Sequence, residues 1–378
     1  MPRVSVIIPC YNYANLVGRA IQSVLDQTYR DFEVIVVDDG STDNTPEVVG
    51  RFGERIRYIR QANQGPNAAR NTGIRATDGE FVALLDADDE WLPHKLERQI
   101  EVMDAKPNVG LMYANIYLIE GQSGAIIGTY PPRFFHEGYV LPHLFLHQFV
   151  PSPTPLIRRK VFERVGYFDP KTIGSDDWEM WLRIAAQFNF AYVLEPLAKY
   201  TVHASWGSRT TYLTYERDML AFFEKATRDH PAELGPLYRY RLSTFAEQLG
   251  WHLIRNGERA AGFKRLELAI SYCPWRPKPY LLLVLVMVGP RMTSEHCRLG
   301  RVSYLQGKHS LFTDHYSQAR TEFIRSILSD PWGNPKAYAG LLLALIGRPG
   351  KSLFARWLRL DSIAKGPRPD NDASFQQW

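Results

Sequence analysis

The first half of this 378-residue chain predicts an α/β domain with a mostly parallel central sheet covered by helices. Three observations carry that reading. VSVIIP (4–9), EVIVVDDG (33–40) and FVALLDADD (81–89) are each built on a mostly apolar run rich in β-branched or other strand-forming residues, as strands buried on both faces are. Segments with helical spacing separate them. The second and third runs end in carboxylates, at the edge where open α/β sheets bind ligands.

In chain order, strand 4–9 is followed by Leu16, Ala20, Ile21, Val24 and Leu25, which share one helix face. Strand 33–40 stops at Asp-Gly turn chemistry. Ser41 or Thr42 is placed to cap the next helix, with Pro46 in its first turn. A short strand at 56–60 and a helix at 66–76, ended near Gly79, lead to strand 81–89. Residues 105–175 are less regular. LMYANIYLIE (111–120) alternates as a half-buried strand, and Pro151, Pro153 and Pro155 mark a loop. DDWEMWLRIAAQF (176–188) reads as a helix, and AYVLEPLAKYTVH (191–203) as one or two edge strands interrupted by Pro196.

Beyond about residue 210 helical patterning takes over. The chain therefore reads as an α/β domain over 1–205, an all-α domain over 206–365 and a polar tail over 366–378. Residues 261–289 align with 318–347, each running helix, Pro-Trp, Pro-containing turn, apolar helix and Gly. Such helix-turn-helix repeats resemble tetratricopeptide-type units.

Composition narrows the function. A 45% hydrophobic, 22% charged chain can fold, and three cysteines (Cys10, Cys273, Cys297) make no disulfide framework. The N-terminus lacks the pattern of a secretory signal. The longest apolar run, Leu281 to Val288, falls short of the roughly 20 residues a bilayer span needs. A cytoplasmic protein is expected, with no nucleic-acid partner. Residues 1–205 hold 20 Lys and Arg against 25 Asp and Glu, whereas 206–378 hold 25 against 15. The acidic half suits a cation and the basic half an anionic surface; the alternative is that both are simply solvated faces. Arg348, Lys351, Arg356, Arg359 and Lys365, interleaved with Leu353, Phe354, Trp357 and Leu358, form a basic amphipathic segment of the kind that docks on anionic membranes.

Asp86 and Asp88 form an Asp-x-Asp pair that can converge on a hard divalent cation such as Mg²⁺ or Mn²⁺. A calcium loop would need Gly where Trp91 stands, and a DxDx[TV] phosphatase nucleophile fails at Glu90. A structural capping cluster remains the alternative. Asp38 and Asp39 can accept hydrogen bonds from a ribose or base, or simply initiate the turn before Gly40. Neither GxGxxG nor GxxxxGK[ST] occurs, which argues against dinucleotide enzymes and P-loop NTPases.

VSVIIPCYNYANLVGRAIQSVLDQTYRDFEVIVVDDGSTDNT followed by NQGPNAARNTGIRATDGEFVALLDADDEW strongly resembles the family 2 glycosyltransferases, over residues 1 to about 205. The resemblance implies a GT-A nucleotide-diphospho-sugar transferase fold. It also implies a hexosyltransferase-type, inverting activity: a UDP- or GDP-linked sugar passes to an acceptor hydroxyl, with Mn²⁺ or Mg²⁺ as cofactor. On that match Pro9, Tyr11, Asn12, Asp38 and Asp39 surround the nucleoside, and Asn67, Arg70 and Asn71 lie near the diphosphate. Asp86 faces the ribose and Asp88 holds the metal, with His203 as a further ligand. GSDDWEMWLR (174–183) resembles the family's Glu-Asp-Trp segment, which makes Asp177 the catalytic base and places Asp176 beside the donor. Asp176 stands where relatives carry Glu. Family analogy implies bacterial surface-polysaccharide or lipopolysaccharide assembly, with a saccharide or lipid-linked saccharide acceptor, on the inner face of the plasma membrane. The competing reading is a binding or scaffold protein that acts through its helical half and keeps a relic transferase domain.

Overall fold

The computed structural model describes residues 1–121, 123–130, 135–170, 176–202 and 212–288, with positions 318 and 321. Two compact units divide the chain, one ending at Tyr238 and the other beginning at Arg239.

The first unit is built on one nine-stranded sheet. Strand β1 (Val4–Cys10) is buried at every position and lies between β2 (Phe32–Asp38) and β4 (Phe81–Leu84), both parallel to it. Full burial on both faces is why its sequence runs without polar alternation. β3 (Arg57–Arg60) extends the parallel half beyond β2. On the other side of β4 the sheet turns mixed. β8 (Leu156–Arg158) is antiparallel to β4 and to β6 (Val109–Glu120), and β9 (Asn189–Val202) is parallel to β6. The two-residue β5 (Glu90–Trp91) pairs with β9, and β7 (Ile126–Tyr130) pairs with β6. Helices α1 (Val17–Leu25), α2 (Thr45–Gly50), α3 (Pro66–Arg75) and α4 (Lys95–Ala105) follow the first strands. α5 (Leu141–Leu146), α6 (Arg159–Val165), α7 (Asp176–Ala185) and α8 (Tyr212–Asp229) come later in this unit.

Three local readings change, and one left open is decided. The third apolar run is a strand only to Leu84. Asp86 C=O then accepts the Asp89 N–H at 3.1 Å, so its carboxylates sit in a turn rather than at the end of a long strand. β6 is not half-buried, since Val109 through Ile116 are all buried. Its polar members are satisfied internally: Tyr113 OH donates to His136 O, and Asn115 Nδ2 donates to Leu194 O. β9 is one strand carried past Pro196 by a bulge opposite Asn115. Proline cannot donate to a ladder, and the break in register at that point accommodates it. Finally, neither Ser41 nor Thr42 caps α2, whose flanking residue is Asn44. Both instead bind Asn12: Ser41 Oγ accepts its N–H, and Thr42 N–H donates to its Oδ1.

The second unit begins inside α9 (Pro231–Arg255) and continues through α10 (Arg259–Tyr272) and α11 (Pro277–Val288). α10, a Pro-Trp turn and α11 form the first of the two aligned repeats. Leu266 and Leu282 pack between them with Phe263 and Leu283. The second repeat (positions 318 and 321 apart), the basic segment 348–365 and the tail lie outside the described residues. Among the described residues no helix is long and apolar enough to cross a membrane.

Candidate functional site

The carboxyl edge of the parallel half gathers three loops. Asn12, after β1, has φ +57°, a left-handed conformation that Asn tolerates better than most residues. Its side chain, with Tyr13 N–H to Thr45 Oγ1 (3.0 Å) and Ala14 N–H to Asp43 Oδ2 (3.1 Å), staples the 11–14 loop to the 41–45 loop. Pro9 is buried in β1, Tyr11 is partly exposed and Asn12 is exposed.

Asp38 and Asp39 are both buried and internally partnered. Asp38 accepts from Ser41 N–H at 2.8 Å and from Tyr58 OH at 2.5 Å, with Arg60 Nε 3.7 Å away. Burial and this contact push the Tyr58 phenol up from its usual range. Asp39 accepts from Gln61 Nε2, Gln64 N–H and Gly65 N–H, between 2.7 and 3.0 Å. One carboxylate thus fixes the turn after β2, and the other fixes the loop leading into α3.

On α3, Arg70 Nη2 meets Asp86 Oδ1 at 2.9 Å while Nη1 reaches Asn67 Oδ1 at 3.1 Å. Its guanidinium lies over the Phe168 ring. Asn67 Nδ2 donates to Asp169 O at 2.9 Å. Asn71 both donates to Phe168 O (2.8 Å) and accepts from Phe168 N–H (3.0 Å). The two asparagines therefore strap segment 168–169 to α3, and the Phe168 ring meets Trp181 of α7 edge-on.

Asp86 and Asp88 are each partly exposed, whereas Asp89 is buried. Tyr13 OH lies 3.4 Å from Asp88 Oδ2, and desolvation beside these carboxylates pushes that phenol up to about 12. Asp89 Oδ1 accepts Thr201 N–H at 2.9 Å, while Thr201 Oγ1 donates to Asp88 O at 2.5 Å. Burial, with Asp88 and Asp86 nearby, holds the Asp89 carboxyl well above the usual range.

Asp177 stands in the first turn of α7. Its Oδ2 accepts from Ser152 Oγ at 2.9 Å and from Gln148 Nε2 at 3.2 Å. Trp91, two residues past Asp89, donates its Nε1–H to Pro153 O at 2.8 Å. The Asp-x-Asp turn and Asp177 are thereby held to the same short loop. Asp176 begins α7, while His203 lies outside the described residues, as does the Asp176 side chain.

Ser152, Gln148, Tyr13, Trp91 and Thr201 do not stand out as site residues in the sequence. Ser152 carries one signal: it stands between Pro151 and Pro153, in a loop whose backbone proline stiffens. Among the described residues no three His, Cys, Asp or Glu groups form a ready-made metal cage. The chemistry of the Asp86–Asp88 pair still fits a hard cation. Both are oxygen donors open to solvent, and Mg²⁺-type ions complete their shells with water and substrate phosphate.

A parallel half-sheet with carboxylates at its carboxyl edge, continued by a mixed half that delivers another carboxylate on a helix, is the architecture of GT-A transferases. Residues 5–166 match the model of glycosyl transferase family 2. The chain is 38% identical over 217 residues to an uncharacterized glycosyltransferase of Nostoc sp. PCC 7120, covering 54% of this chain and 66% of that one. An uncharacterized glycosyltransferase of Rickettsia prowazekii is 32% identical over 60% of this chain and 74% of its own. An Escherichia coli UDP-Glc:α-D-GlcNAc-diphosphoundecaprenol β-1,3-glucosyltransferase, WfgD, is 41% identical over 34% of this chain and half of its own. In fold, the chain is similar to residues 1–349 of S. aureus TarS in complex with UDP-GlcNAc (TM-score 0.55, 17% identity, 87% of this chain and 91% of that one). It is also similar to a Pyrobaculum calidifontis mannosyltransferase in complex with GDP-Man and Mn²⁺ (0.52, 21%, 88% and 87%). The chain belongs to glycosyl transferase family 2.

Proposed function

We propose that the chain is an inverting glycosyltransferase that moves a sugar from a UDP- or GDP-linked donor to an acceptor hydroxyl in the assembly of a bacterial surface polysaccharide. One observation carries the reading: the Asp86–Asp88 turn and Asp177 sit on separate elements tied to one loop, through Trp91 to Pro153 and Ser152 to Asp177. Inversion needs a single in-line displacement, with a base on the acceptor side and charge neutralisation on the leaving-group side. Asp177 takes the proton of the attacking hydroxyl at Oδ1 or Oδ2, while Ser152 and Gln148 fix its orientation. Asp88 would hold a Mn²⁺ or Mg²⁺ ion, with His203 as a further ligand, and Asp86 would face the ribose. When bound, that ion supplies Lewis-acid neutralisation of the departing diphosphate. Arg70 adds a fixed positive charge beside Asp86. Pro9, Tyr11 and Asn12 border the nucleoside. Asp38 and Asp39 act there through carboxylate oxygens already anchored by the loops, and Asn67, Asn71 and Asp176 shape the donor side. The lipid-linked saccharide named for the WfgD relative supports an acceptor of that class. It also supports peripheral association with the inner face of the plasma membrane through residues 348–365.

Asp177→Asn tests the reading. Turnover is expected to fall by at least a thousandfold while Mn²⁺-dependent binding of UDP or GDP, followed by calorimetry, stays within about twofold. Retained turnover would remove Asp177 as the base. Nucleotide binding that ignores Mn²⁺ would remove the metal assignment. No nucleotide binding at all would favour the scaffold alternative.

A further inference from the structure

The second unit carries an aromatic cluster that neither its core nor the transfer chemistry uses. Among the described residues of this unit, the exposed large hydrophobic side chains are Tyr240 (39% exposed), Trp275 (74%) and Tyr280 (43%). All three stand where the α10–α11 turn meets the part of α9 just beyond residue 238. Arg239 donates to Tyr272 O and Ser271 O, the Arg276 guanidinium lies over the Tyr240 ring, and Arg276 Nη1 donates to Ser243 Oγ at 2.8 Å. Glu247 is nearly fully buried and holds two cations, Arg276 at 2.5 Å and Lys278. One buried carboxylate for two basic side chains leaves an excess positive charge on the rim beside Trp275.

Residues 239–288 contain eight Lys and Arg against three Glu. We infer that this part of the second unit, formed by Tyr240, Trp275 and Tyr280 with Arg239, Arg276 and Lys278, docks on an anionic phospholipid surface. Tyr and Trp, with an apolar body and a polar ring atom, favour the headgroup region over either water or a dry core. Neighbouring cations add electrostatic attraction to an anionic bilayer. A second copy of the chain is a poorer occupant, because like charge would face like charge. A neutral saccharide is poorer too, because the acid at this turn is buried and offers sugar hydroxyls no acceptor. The sequence repeats the same pattern as Trp332, Lys336 and Tyr338, positions outside the described residues. That repetition is unexpected for a residue left exposed unless the surface is used. The inference adds a contact separate from segment 348–365 and does not depend on it.

The test is co-sedimentation of the full chain with vesicles of phosphatidylcholine alone or mixed with phosphatidylglycerol. The wild-type chain is expected to bind the mixed vesicles and to be released at about 1 M salt. W275A/Y280A is expected to lower the partition coefficient about tenfold, with an unchanged melting curve because both side chains are exposed. R356E/R359E, in the other segment, provides the separating arm. Full loss in R356E/R359E with no loss in W275A/Y280A would overturn this inference and leave the other reading standing. Binding to neutral vesicles alone, binding to neither, or a W275A/Y280A defect confined to self-association would overturn it as well.

Discussion

Ser152 Oγ donates a hydrogen bond to Asp177 Oδ2 at 2.9 Å across 25 residues of sequence, and Gln148 Nε2 joins it at 3.2 Å. Tyr130 OH in turn donates to Gln148 O at 2.5 Å, so β7, the 147–153 loop and α7 converge on one carboxylate. Hydrogen bonds to the ionised form lower a carboxylate's pKa, and a base works only while deprotonated. Ser152→Ala therefore raises that pKa and moves the acid limb of the kcat–pH profile to higher pH. Activity near neutral pH should change little, while activity below the limb falls. An unmoved limb in a folded variant refutes the positioning role.

Asn71 ties α3 to both backbone groups of Phe168 and is buried. Asn71→Ala leaves a buried N–H and a buried C=O unpaired, each costing about 1–3 kcal/mol. A loss of about 3 kcal/mol in urea unfolding is expected. Asn71→Asp restores the acceptor but sets a buried carboxylate against Phe168 O, so its loss should be at least that of alanine. Equal stability of the three proteins would show that segment 168–169 is held by other contacts.

The parallel half is legible because β1, β2 and β4 are buried on both faces, and such strands write mostly apolar runs. Sequence patterns mislead where tertiary contacts answer for polar residues. Asn115 and Tyr113 make β6 read as half-exposed, yet their side chains are satisfied at Leu194 and His136. The turn at Asp86–Asp89 looks like more strand because nothing local marks where the ladder stops. In the site, Asp38 and Asp86 stand out by type and spacing, and Asp177 through the resemblance of its segment to the family's Glu-Asp-Trp motif. Ser152 and Gln148 do not, because their meaning comes from α7, folded back from beyond residue 175.

Lys95 is fully buried, with Nζ 2.6 Å from Gln99 Oε1 and 3.8 Å from the Trp91 ring centre. Burial holds its pKa well below the ordinary lysine value. The unfolded chain therefore binds a proton that the folded chain does not. Stability must rise with pH from the depressed folded pKa up to the unfolded value near ~10.4, by at most about 1.4 kcal/mol per unit. Lys95→Met removes that slope. Urea midpoints of wild type and variant measured from pH 7 to 10 should converge as pH rises. Parallel curves would show that Lys95 stays protonated in the fold.

Gly250 and Gly262 let α9 and α10 cross with their backbones nearly touching. A Cβ placed on Gly262 falls 2.5 Å from Gly250 O and 2.5 Å from Ile254 Cγ1, and one on Gly250 falls 2.8 Å from Gly262 O. Two effects compete in Gly262→Ala. Alanine gains roughly 1 kcal/mol of intrinsic helix propensity over glycine. Overpacking against a backbone carbonyl costs about 1–3 kcal/mol, and a carbonyl cannot rotate aside as a side chain can. Because the two helices must part to admit the methyl group, the clash should win by about 1–2 kcal/mol. Gly235, also in α9, has nothing within 4 Å of where a Cβ would stand and serves as the control. Gly235→Ala should then be neutral or slightly stabilising where Gly262→Ala destabilises. Thermal unfolding followed by circular dichroism gives both signs in one experiment. A Gly262→Ala protein as stable as Gly235→Ala would mean that the crossing is looser than the glycine pair implies.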